Sequence, residues 1–324
     1  MTVGDTDAAS RKAEYQSVIE TAGFCRSLGA TLIELSGNDR ASFLHNLCTA
    51  DIQGLQTGEG CELFFPDVQG KTIGYGFAFA LSKSILLSSA PDQAEVLLPH
   101  LDRYLIREDV QLLDQSSAWQ QWALCGPQAE WFCQEKLGLQ IGSQNLSHAQ
   151  TTYDDRTLRC CRTDFFGLPG FFLQMEASAC ESLATALAAM SADCDASVFE
   201  CLRIQAGSPL FGRDITPKNF PQEIDRDARA ISFNKGCYLG QETIARIDAL
   251  GQVQQLLRRL QFSTSDTLPP AGSLLEVAGK KAGHLTSVSR TPVDGGIVAL
   301  GMVRRAHADA GAQLSCATGM AEVV

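Results

Sequence analysis

Apolar residues first gather at Thr31 to Leu35, which reads as a short strand. Ser36-Gly37-Asn38 follows as turn and cap chemistry, and Phe43, Leu44 and Leu47 then share one face of a helix. Farther on, Ile73, Tyr75, Phe77 and Phe79 alternate with smaller residues, and Ser84 to Ser88 gives another strand before Pro91, which is read as opening a helix. That helix carries Ala94, Leu97, Leu98, Leu101 and Leu105 at helical spacing.

The order then repeats. Trp122 to Phe132 again runs strand, glycine turn, helix, with Gly126 and Phe132 in the places of Gly37 and Phe43. Phe171 to Met175, leading into Leu183, Leu187 and Met190, echoes Ile85 to Ser88 leading into Leu97 and Leu98. Two α+β halves of similar build are expected, over residues 25–115 and 116–251. After Gln252 the period shortens to strands at Leu257 to Phe262, Leu274 to Val277, His284 to Val288 and Ile297 to Val303. Pro269-Pro270, Gly279 and Gly295-Gly296 separate them, so residues 252–324 are expected to form a small all-β domain.

Composition narrows the class. The chain has 324 residues, 45% apolar and 19% charged, which suits two or three subdomains with a sizeable core. A net charge of -11 repels phosphate backbones and anionic membranes, so neither nucleic acid nor a membrane is an expected partner. The basic pairs Arg258-Arg259, Lys280-Lys281 and Arg304-Arg305 are short enough to sit at solvated strand ends. The first 24 residues hold acids and no apolar run of secretory length, and nowhere do about 18 to 20 apolar residues run together, so a cytoplasmic protein is expected. Twelve cysteines are scattered with no Cys-x-x-Cys pair, which disfavours a disulfide framework and leaves most of them as small buried hydrophobes. On a strand, Cys160 and Cys161 would point to opposite faces. The five histidines are scattered, and no stable metal site is expected.

Dinucleotide, Walker, zincin and nucleophile-elbow signatures are absent. The informative stretch runs from Leu202 to Arg246. Four glycines and three prolines punctuate it, and it reads as a long shaped surface that carries a site. Within it Cys237 follows Lys235 and precedes a helix-forming run, Gln241 to Arg246; both features favour thiolate and make Cys237 a candidate nucleophile, redox thiol or transient ligand.

Lys235-Gly-Cys-Tyr-Leu-Gly-Gln-Glu242, followed by Ala245-Arg246, resembles the signature of YgfZ-type proteins within the glycine-cleavage T-protein superfamily. Leu35 to Leu44, Thr49-Ala-Asp51, Asp67-Val-Gln-Gly-Lys71, Ala282 to Ser287 and Ala299 to Val303 resemble the same family in order and spacing. The resemblance implies an α+β clover-leaf of two related subdomains and a barrel around a central channel that takes a reduced folate, tetrahydrofolate. It implies a role in iron-sulfur cluster assembly or repair, with assembly proteins or client enzymes as partners. Cys237 and Lys235 map onto the motif cysteine and lysine. Gly236 and Gly240 would shape the turn, Tyr238 and Gln241 complete the motif, and Glu242 and Arg246 would orient it. Folate contacts are expected at Arg203, Gln205, Tyr75 and Glu223.

Two positions depart from the family. The aspartate that assists the folate amine in true aminomethyltransferases falls on Tyr75, and a phenol with a reference pKa near 10 is no carboxylate at neutral pH. The Leu-Arg-x-Glu-Ala-Gly glutamate is Gln205, which keeps hydrogen bonding but loses the charge. A folate-binding accessory factor is therefore the first expectation. The alternatives are a one-carbon transferase in which Glu223 replaces the aspartate, and a tRNA-modification factor.

Overall fold

The computed structural model describes residues 3–26, 28–262, 267–289 and 296–324. The first sheet has the strand order Gly60–Pro66, Thr72–Ala80, Ser84–Ser89, Thr31–Ser36, Gln111–Asp114. Alternation along a strand gives each face its own task. On Thr31–Ser36, Ile33 and Leu35 pack beneath the helices Arg40–Leu47 and Ala94–Asp102, while Leu32 turns to the other side with Phe77, Phe79 and Leu86.

The second sheet repeats this order with His148–Tyr153, Arg156–Thr163, Gly170–Glu176, Trp119–Cys125 and Gly23–Cys25, and Ala192–Asp193 adds a parallel strand outside the last. Gly37 and Gly126 hold the matching turns with φ of 101° and 128°, each where a Cβ would run into backbone. One face of this sheet lies under the helices Ala129–Glu135 and Cys180–Ala188; the other meets the free face of the first sheet. Cys160 and Cys161 accordingly belong to different cores.

Two features lay outside the periodic pattern. The helix Val3–Glu20 packs Tyr15, Val18 and Ile19 on the inter-sheet core, and Gly23–Cys25, upstream of the whole first sheet, completes the second. The helix expected from Pro91 begins at Ala94 and ends at Asp102, before Leu105. The barrel is closed, and it needs two strands beyond the four expected, Gln313–Cys316 and Gly319–Val323.

The stretch from Leu202 to Arg246 is not mainly surface. Its first residues finish the helix Ala196–Gln205 and its last begin the helix Gln241–Leu250. Between them Phe211, Ile215, Ile224, Ile231 and Tyr238 are buried against Phe64 and Tyr75 of the first sheet and Leu257, Leu300 and Met302 of the barrel. The segment is the wedge that joins the lobes. Arg203, 1% exposed, fixes it to the barrel: its guanidinium donates to Asp214 at 2.6 Å, to Ser287 Oγ at 2.7 Å and to Glu200. Asp214 in turn accepts from Ser287 Oγ at 2.8 Å and from Thr286.

Candidate functional site

The motif loop lies against the first lobe. Lys235 sends its ammonium to the carbonyls of Cys48 at 2.9 Å, Ala50 at 2.7 Å and His45, all at or just past the C-terminal end of the helix Arg40–Leu47. A cation suits a helix end where carbonyls lack intrahelical partners. Tyr238 is buried beneath it, with the ammonium 4.9 Å from its ring centroid, and Leu239 N donates to Asn46 O at 2.9 Å. Burial pulls Lys235 below the ordinary lysine pKa, and Cys48, Asp51 and Cys61 oppose that shift. Burial, and then the Lys235 charge, lower His45, while burial pushes the Cys48 thiol up to about 11. Lys235 is thus an anchor for the loop, which corrects its expected role as a partner for the Cys237 thiolate.

Cys237 itself is exposed, whereas nine of the twelve cysteines are buried and Cys61 and Cys316 are partly so. Gly240 makes the turn ahead of the helix Gln241–Leu250: its φ is 75°, and a Cβ there would lie 2.4 Å from Asp67 O. Gly236 has open space around it and does not shape the turn by necessity. Gln241 N closes the turn onto Tyr238 O at 3.2 Å. Glu242 and Arg246 are exposed, one turn apart on that helix, and make no side-chain hydrogen bond or ion pair among the described residues, so they do not orient Cys237.

A second feature lies between the lobes. A cavity of about 610 Å³ opens between the two sheets, the helix Ala196–Gln205 and the wedge. Phe77, Phe165, Phe166, Phe172 and Phe199 wall it, with Phe77 edge-on to Phe165 at 6.0 Å and Phe166 edge-on to Phe199 at 5.1 Å. Its polar lining includes Ser88, Ser89, Gln93, Gln121, Glu200, Arg203 and Arg213. The volume and the mix of aromatic walls with few polar groups fit a flat organic ligand.

Of the expected folate contacts, Arg203 and Tyr75 line this cavity and Gln205 and Glu223 do not. Gln205 ends its helix with Oε1 accepting from Tyr15 Oη at 3.0 Å. Glu223 closes its own short 3₁₀ turn, accepting from Asn219 Nδ2 at 3.0 Å and Phe220 N at 3.3 Å, and also from Gln255 Nε2 at 3.2 Å. It offers no carboxylate to the channel. Tyr75 donates to Glu62 at 2.8 Å, and Glu62 is held by Arg226 at 2.7 and 2.6 Å. Burial, then Glu62, drives the Tyr75 phenol far above its ordinary pKa, so it stays protonated. Sequence reasoning missed Glu200, Gln93, Gln121 and the phenylalanines, of which it read Phe77 only as part of an alternating strand. No cluster of three or more metal-ligating side chains occurs among the described residues. No helix among them is long and apolar enough to cross a membrane.

Comparison with known proteins follows the same partition. The model of the GCVT N-terminal domain matches residues 5–235, and that of the CAF17 C-terminal beta-barrel domain matches 257–324. An Arabidopsis thaliana protein named "Putative transferase At1g60990, chloroplastic" is 32% identical over 282 residues, 86% of this chain and 64% of its own length. This chain therefore spans less than two thirds of that relative. A Yersinia enterocolitica protein named "tRNA-modifying protein YgfZ" is 28% identical over 256 residues, 76% of this chain and 72% of its own. The crystal structure of glycine cleavage system aminomethyltransferase T from Bartonella henselae superposes with a TM-score of 0.85 over 97% of this chain and 88% of that one, at 20% identity, a likeness of fold. With one model running through both sheets and a second taking the barrel, the chain belongs to the GCVT, aminomethyltransferase-like superfamily, and carries the CAF17-type C-terminal barrel.

Proposed function

We propose that this protein is a folate-binding accessory factor for assembly or maintenance of iron-sulfur clusters, with Cys237 as its working thiol. The observation that carries this reading is that Cys237 alone among the twelve cysteines is exposed, on a loop clamped by Lys235 and turned by Gly240. A thiol that touches a cluster or a client briefly must be reachable from outside, and buried thiols are not. The aromatic cavity supports the folate part: its walls suit a planar ring, and its volume lies within the range of small-molecule sites, roughly 300–1,000 Å³. Twelve free cysteines agree with a reducing compartment, and we place the protein in the cytosol.

Aminomethyl transfer is the second reading. Its support is Glu62, whose carboxylate lies 2.8 Å behind the Tyr75 hydroxyl at the cavity wall. That carboxylate is already engaged by Arg226 at 2.6 Å, however, and Tyr75 lines the cavity where Glu62 does not. A direct grip on tRNA has less support: the net charge is -11, and Arg258, Arg259 and Arg305 are tied to Asp225, Gln205 O and Gly251 O.

The test is rescue. In cells lacking the protein, activity of a cluster-dependent dehydratase is expected to return with the wild-type chain and to stay low with Cys237→Ser at equal abundance. Full rescue by Cys237→Ser sinks the thiol role. Release of formaldehyde equivalents from an aminomethyl donor by the purified protein would promote the transferase reading instead.

A further inference from the structure

The turn from Phe211 to Ile215 sends two neighbouring side chains to different places. Gly212, with φ of 86° and open space where a Cβ would stand, closes it through Gly212 N to Ile215 O at 2.8 Å. Asp214 goes inward to the buried Arg203. Arg213 goes outward: its side chain is 60% exposed, and its guanidinium has one partner among the described residues, Glu200 Oε1 at 3.1 Å. That oxygen also accepts from Arg203 Nη2, and Glu200 Oε2 accepts from Arg203 Nε at 2.9 Å. Glu200 is therefore held with or without Arg213. An ion pair this exposed contributes little, so Arg213 can change carboxylates at small cost.

The pair stands at a seam. Ser197, Glu200, Gly212 and Arg213 line the aromatic cavity between the lobes and also a second cavity of about 680 Å³, set between the start of the helix Ala196–Gln205 and the barrel strand Lys280–Val288. The two differ in chemistry. Five phenylalanines wall the first, whereas no phenylalanine, tyrosine or tryptophan among the described residues lines the second, which instead adds His284 and Thr286 to the shared polar groups. Burial, then Lys281, lower the His284 pKa, so at neutral pH it offers a ring N–H without a charge. Arg203 is spent on Asp214, Ser287 and Glu200, which leaves Arg213 as the cation at the seam with N–H groups open to a ligand. Each cavity has the volume of a small-molecule site, and the two in series fit a long molecule, flat at one end and acidic at the other.

We propose that the second cavity is the subsite for an acidic tail on the ring-bearing ligand, and that Arg213 recognises the tail: its guanidinium leaves Glu200 for a tail carboxylate at the seam. The proposal rests on the folate reading and extends it, since a folate carries glutamate at the end away from its pterin and can carry further γ-linked glutamates.

The test is calorimetric titration of the full chain with three probes: tetrahydrofolate, its triglutamyl form, and a methyl-tetrahydropterin, which has the ring without the tail. For the wild-type chain, affinity is expected to rise from the ring probe to tetrahydrofolate to the triglutamyl form. Arg213→Gln is expected to weaken the two tailed probes by roughly 5- to 10-fold, between an exposed ion pair and a buried charged hydrogen bond, and to leave the ring probe within about twofold. Its melting temperature is expected to stay within about 2 °C of wild type, as suits an exposed side chain. Tailed-probe affinities within about twofold of wild type would overturn the role of Arg213 while leaving the folate reading intact. An equal loss for the ring probe would place the effect in the aromatic cavity or the fold and overturn it too. A triglutamyl form no tighter than tetrahydrofolate would overturn the second cavity as the subsite for the tail. No binding of either tailed probe to the wild-type chain would bring down the folate reading and the tail proposal with it.

Discussion

Replacing Lys235 by Met keeps most of the apolar stem but removes the ammonium from the carbonyls of His45, Cys48 and Ala50. Hydrogen bonds to a charged group contribute about 1.5–3 kcal/mol each, and a cation at a helix C-terminus up to about 2 kcal/mol. Against this stands the desolvation that pulls Lys235 below its ordinary pKa, a penalty of several kcal/mol for a buried ion. The difference is a net destabilisation of about 2–3 kcal/mol, larger than the few tenths expected for Cys237→Ser at an exposed site. Urea denaturation at neutral pH, followed by far-ultraviolet circular dichroism, measures both. Rates of thiol labelling as a function of pH supply the discriminating readout, because an anchoring lysine changes stability without moving the labelling pH of Cys237. A Lys235→Met variant within about 0.5 kcal/mol of wild type, or one that keeps its stability while Cys237 labels only at higher pH, would refute the anchoring argument.

Three further outcomes are expected. Asp214→Ala leaves buried Arg203 with Glu200 as its remaining carboxylate, takes the acceptor from Ser287 and Thr286, and should cost about 3 kcal/mol in the same denaturation experiment; a loss below about 1 kcal/mol contradicts the wedge-to-barrel linkage. Burial, then Asp225 and Asp248, raise Asp227 to about 6, above its unfolded value near 4, so the folded state binds that proton more tightly. The stability it confers is present below about pH 4 and lost as pH rises through about 6, and Asp227→Asn should gain about 1–2 kcal/mol at pH 7 and flatten the pH profile; an unchanged profile counts against it. Brief maleimide treatment of the native protein should label Cys237 first, and peptide mapping that finds Cys48 or Cys201 labelled as fast contradicts the burial pattern.

The repeated unit was legible because each copy needs a glycine where its turn runs against backbone, and Gly37 and Gly126 mark it in the chain. The barrel strands before Arg304 were legible for the same kind of reason, alternation between glycine and proline breaks. Gly23–Cys25 was not, since three residues have no period to read. Of the four expected folate contacts, Gln205 and Glu223 lie off the cavity that Arg203 and Tyr75 line. Glu200 and Arg203, three residues apart, share a helix face and reach the cavity together, whereas Gln205 is turned about 200° from Arg203 and meets Tyr15 instead. Glu223 misled because a carboxylate in a loop closes its own turn as readily as it serves a substrate. Lys235 stood out in its motif but its direction was not legible, because the helix end that receives it lies about 190 residues earlier.

Gly23–Cys25 closes a sheet whose next strand, Trp119–Cys125, lies about a hundred residues downstream. During synthesis, at roughly 5–20 residues per second, the first sheet can pair all its strands while this segment waits some 5–20 s for its neighbour to leave the ribosome. Gly23–Cys25 is therefore made before the first sheet yet docks after it, and a nascent chain stalled before residue 119 would hold a paired first sheet with this segment still without its neighbour.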